Sequence, residues 1–222
     1  MKLIFLLLSA VFASGGGDWS ERGNGGDVIA CPDSGHYVML DLYEAHQRYM
    51  FVTSYPMIWN PEMPGYVVGP RELISMAEEK LEYALSKHDP DLLGHLLNLL
   101  LEYDDDVHYL PGTSLRDIED AGDFWTPWSC RLEQLAIQRT PLSPHDKRYI
   151  VSLDLWKKMK TESRLAAILH EIIYNYALKL NPGLKNSEKV RYFNALILAD
   201  KIRDMTTEEY KKTYSDVFGI KI

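Results

Sequence analysis

Residues 164–180 read RLAAILHEIIYNYALKL, and this stretch leaves the surrounding fold little freedom. At 100° per residue, Leu165, Ile168, Leu169, Ile172, Ile173, Tyr176 and Leu180 share one broad apolar face of a helix. Ala167, His170 and Tyr174 lie on the opposite side, and Glu171 falls beside Arg164 and Asn175 on a polar strip. A back face of alanine, histidine and tyrosine is too apolar to meet only water. The pattern predicts a helix covered on two sides, the second cover being a cleft or another helix. The rest of the chain must supply that cover.

The flanking punctuation places other elements around it. Thr161 or Ser163 opens this helix and Asn181-Pro182-Gly183 ends it, Ser187 caps the next helix, and Thr206 with Glu209 forms a capping box for the last. Upstream, Pro70 or Arg71 opens a helix that ends near His88, and Asp89-Pro90 starts a leucine-rich helix through Leu101. The acidic run Glu102, Asp104, Asp105 and Asp106 lacks the alternation and turn glycine of a calcium loop, so it reads as a solvated helix exit. Residues 27–31 and 36–42, separated by PDSG, predict a hairpin that runs into a short helix near 44–50. Residues 132–138 and 148–153 predict a second hairpin around the TPLSPHD loop, and the prolines within 52–69 predict an irregular crossing. The expected class is α+β, mainly helical, with the two hairpins forming a small antiparallel sheet packed against C-terminal helices.

The first residues bear on compartment. Met1-Lys2, an apolar run over 3–12 and the small residues of Val11-Phe12-Ala13 predict a signal peptide over residues 1–13, cleaved after Ala13. The glycine-rich segment 14–26 predicts a flexible arm, and 27–222 a single globular domain. No later run is long and apolar enough to span a bilayer. In an exported chain the two cysteines, Cys31 and Cys130, point to a disulfide, the alternative being two buried thiols. A formal net charge of -8 and the absence of a basic stripe argue against a nucleic-acid partner.

His170-Glu171 also forms the first half of a zinc-binding helix, in which two histidines one turn apart hold the metal and the glutamate polarises its water. Tyr174 stands where the second histidine belongs, so the resemblance to a zincin active-site helix is partial. Under that reading His170 and Tyr174 are metal ligands and Glu171 is the catalytic base. A phenol with an ordinary pKa near 10 is a poor zinc ligand, and no histidine follows His170 to complete the set. Glu188, Asp200 and Asp204 are the acidic residues left for a third position. The competing reading makes His170, Glu171, Arg191 and Asn194 a structural polar network, with Arg191 and Asn194 on one side of the next helix and Arg191 reaching back to Glu171 or His170. Surface exposure of Arg191 is the other possibility.

Five segments together, GNGGDVIAC, CRLEQLAIQR, KRYIVSLDLWKKM, LHEIIYNYA and NSEKVRYFNALI, resemble an uncharacterised family of small exported proteins of predatory Gram-negative bacteria. The resemblance covers both ends of the chain beyond the signal and leaves 52–125 largely unaccounted for. It implies export and makes the His-Glu-Tyr segment part of a shared pattern, without bringing an activity. Three functional readings stand at this point. The first is an exported protein with a binding or structural role in the periplasm or outside the cell, acting on an unknown envelope or extracellular partner without a cofactor. The second is a zincin-like metal-dependent hydrolase, a peptidase or amidase, with zinc. The third is glycan or peptidoglycan binding through aromatics drawn from Trp19, Trp59, Trp125 and Trp128.

Overall fold

A computed structural model describes residues 21–24, 26–54, 68–116, 126, 129–184 and 186–220. The expected signal segment, the first part of the glycine-rich arm, most of the proline-bearing crossing, and Trp19, Trp59, Trp125 and Trp128 lie outside the described residues. In chain order the elements are β1 (Glu21–Asn24), β2 (Asp27–Cys31), β3 (His36–Met39), α1 (Leu40–Gln47), α2 (Pro70–Leu85), α3 (Pro90–Asp106), β4 (Val107–Leu110), β5 (Arg131–Gln134), β6 (Ala136–Arg139), β7 (Tyr149–Ser152), α4 (Leu153–Lys158), α5 (Thr161–Leu180), α6 (Glu188–Leu198) and α7 (Thr207–Phe218). The class is α+β.

Both expected hairpins form, β2 with β3 and β6 with β7, but they contribute to different sheets. One is antiparallel, in the order β3-β2-β5; the other is mixed, in the order β1-β6-β7-β4, with β4 parallel to β7. The sheets meet where two antiparallel pairs follow one another, β1 with β6 and then β2 with β5. At that corner the Gly26 carbonyl accepts from both Leu135 N (3.1 Å) and Ala136 N (3.2 Å). Residues 132–138, expected as one strand, are therefore two strands that turn from sheet to sheet at Leu135. Part of the expected flexible arm is corrected too, because Glu21–Asn24 is the edge strand β1. Its partner β6 supplies the backbone pairing that the glycine-rich composition concealed.

The β2–β5 register places Ala30 opposite Arg131, which brings Cys31 beside Cys130. The two form a disulfide across a sequence separation of 99 residues. Strand β7 lies between β6 and β4 and is buried along its whole length, as its YIVS sequence suits.

The helices largely follow their punctuation. Asp89 caps α3 by accepting from Leu92 N at 2.9 Å, with Pro90 in the first turn, and Thr206 with Glu209 completes the capping box of α7. The acidic run belongs to the last turns of α3, where its negative charge opposes the helix dipole. Arg148 faces Asp106 at 3.7 Å, and Lys147 donates to the Asp105 carbonyl, which offsets that cost. Ser187 stands at the N-cap of α6 without making a capping bond, because its hydroxyl accepts from Arg191 Nη1 at 3.1 Å. Helix α1 begins at Leu40 rather than near Glu44, since Leu40, Asp41, Leu42, Glu44 and Ala45 are all buried and fit a helix rather than a continued strand.

Helix α5 is enclosed over most of its length, with every residue from Leu165 to Asn175 buried. Helices α2 and α3 and strand β3 of the antiparallel sheet cover part of it, and α1 and α6 close over the His170 face. The second cover is thus helical.

Candidate functional site

Three buried polar side chains of α5, His170, Glu171 and Asn175, each bond to a different part of the fold. His170, fully buried, directs Nδ1 at the Asp41 carboxylate of α1, 2.9 Å from Oδ2 and 3.1 Å from Oδ1. Asn194 of α6 donates its amide to Asp41 Oδ2 at 2.7 Å and to the Ala166 carbonyl at 2.9 Å. One carboxylate therefore joins three helices. His170 Nε2 and Asn194 Oδ1 are buried with no hydrogen-bond partner among the described residues. Tyr174, also fully buried, sets its ring 5.9 Å from the imidazole, centroid to centroid.

Glu171, on the polar strip of α5, is buried as well. Its Oε1 accepts from Gly26 N at 2.7 Å and its Oε2 from Gln138 Nε2 at 2.8 Å, while the same Gln138 nitrogen reaches the Glu171 carbonyl at 2.7 Å. These donors come from the corner where the two sheets meet, so Glu171 locks α5 onto it. A Cβ at Gly26 would collide with the end of the Met39 side chain. Asn175, on the same strip, donates to the Tyr149 hydroxyl at 2.7 Å.

Arg191 is buried, and its partner is Glu44 rather than Glu171 or His170: Nε lies 2.8 Å from Oε2 and Nη2 3.5 Å from Oε1. Glu44 also holds Arg48 Nη1 at 3.3 Å, and Arg48 Nη2 holds Glu188 at 2.8 Å near the surface. The four expected network residues are therefore brought into one region, but through Asp41 and Glu44, which the sequence reading missed. Both acids lie three residues apart on α1. Such an i, i+3 pair on a buried helix face is a recognisable signal once the helix start is placed at Leu40.

Electrostatics follow from this enclosure. Burial pulls the His170 pKa down, but the charge and hydrogen bond of Asp41 outweigh it, with Glu171 adding and Arg191 opposing, and the pKa rises to about 9. Asp41 thus favours the protonated, imidazolium form of His170. Burial raises the Glu171 pKa, against the charge of His170 and the bonds from Gly26 and Gln138. Among the described residues no group of three or more His, Cys, Asp and Glu side chains could hold a metal ion. Glu188 and Asp200 are engaged elsewhere, with Arg48 and with Lys80, whose ammonium also bonds Ser54 Oγ and the Leu198 carbonyl. The donor set does not fit a zincin centre: no second ligand histidine accompanies His170, Tyr174 stands in its place, and both Glu171 oxygens are already bonded.

A histidine whose folded pKa lies above its ordinary 6.5 contributes stability that is complete below that value and lost as pH rises through about 9. The raised Glu171 pKa acts in the same sense at lower pH, its contribution being complete below 4.5 and lost as pH rises through the folded value. The urea midpoint is therefore expected to fall between about pH 6.5 and pH 10, the His170 share being on the order of 3 kcal/mol. His170→Gln should flatten that fall, and an equally steep fall in the variant would contradict the assignment.

Searches of protein-family models, curated proteins and solved structures find no match to this chain.

Proposed function

We propose that the chain is an exported protein with a binding or structural role in the periplasm or outside the cell, and that the His-Glu segment of α5 organises its core. The observation that carries the non-catalytic part is the engagement of Glu171 by Gly26 and Gln138 in a fully buried position. A group placed there holds the sheet corner to the helix, with both oxygens bonded inside the protein and closed off from solvent. Export is supported by the Cys31–Cys130 disulfide, which suits an oxidising compartment. No helix among the described residues is long and apolar enough to cross a membrane. The resemblance to small exported proteins of predatory Gram-negative bacteria points the same way. The partner is an envelope or extracellular component.

N-terminal sequencing and intact mass of protein recovered from the envelope or medium test the export reading. Ser14 is the expected first residue. A full-length product confined to the cytoplasm would overturn it. The hydrolase reading requires a neutral His170 and an unbonded Glu171 oxygen, and it predicts stoichiometric zinc in protein purified without chelator.

A further inference from the structure

We draw no further inference here: the strongest candidate, the side-chain cluster in which buried Lys80 of α2 meets Ser54 and Asp200 beside the end of α6, shows nothing that would select a ligand or a reaction, because the Lys80 ammonium is occupied by Ser54 Oγ at 2.7 Å, Asp200 Oδ1 at 2.7 Å and the Leu198 carbonyl at 3.2 Å and so clamps these segments together.

Discussion

His170→Ala is expected to destabilise the protein by about 3–5 kcal/mol, the range for removing one member of a buried ion pair. The variant would leave Asp41, which is fully buried, with the Asn194 amide as its remaining hydrogen-bond partner among the described residues and with a void where the imidazole stood. Both consequences act on the seam between α1, α5 and α6. Removing the carboxylate as well should recover part of the loss, since an uncompensated charge costs more than a missing pair. A double-mutant cycle with Asp41→Asn, read by reversible urea unfolding, is therefore expected to show a coupling of about 0.5–3 kcal/mol, the range for residues in direct contact. Strict additivity would mean that the two groups do not form the pair described here.

The second large effect is covalent. Cys130→Ser should lower stability by about 2–5 kcal/mol, as removal of a native disulfide does. The bridge closes a sequence separation of 99 residues, for which the chain-entropy account gives about 4.7 kcal/mol. It also fixes the outer end of the β2–β5 pairing, so its loss should fray the three-stranded sheet before the mixed one. Free-thiol titration of the denatured, unreduced protein is expected to find none. Thiols in exported material, or an unchanged urea midpoint in Cys130→Ser, would contradict the assignment.

The long helices of the fold were legible because they announce themselves locally. Asp89-Pro90 before α3, Thr206 with Glu209 before α7, and the apolar spacing of α5 each carry their own signal within a few residues. The sheets were less legible because their signals are non-local. The chain turns between sheets at Gly26 and Leu135, and nothing in DVIAC or RLEQLAIQ states which strand is the partner. Strand β4 was missed because VHYL follows directly on an acidic helix end, without turn residues.

The site showed the same division. His170, Glu171, Arg191 and Asn194 stood out as polar residues at positions that helical packing would cover. Their partners Asp41 and Glu44 did not, because LDLYEAH alternates apolar and polar residues at its start and so reads as the end of a strand. The burial of Glu171 is hidden in the sequence for a related reason. The helix circle records which way a side chain faces, but not that Gly26 and Gln138 approach from segments 145 and 33 residues away.

The role proposed for Glu171 is that of a structural acceptor and not of a general base. Glu171→Gln separates the two because it replaces one acceptor oxygen with a donor while keeping the size. With Gly26 N–H and the Gln138 amide both pointing at that carboxylate, one donor must lose its partner inside the core, at about 1–3 kcal/mol. The direct test is the thermal melt of Glu171→Gln with zinc measured on the same sample. The predicted result is a melting temperature lowered by several degrees and no stoichiometric zinc in either variant or parent. An unchanged melting temperature with one zinc retained per chain would contradict it.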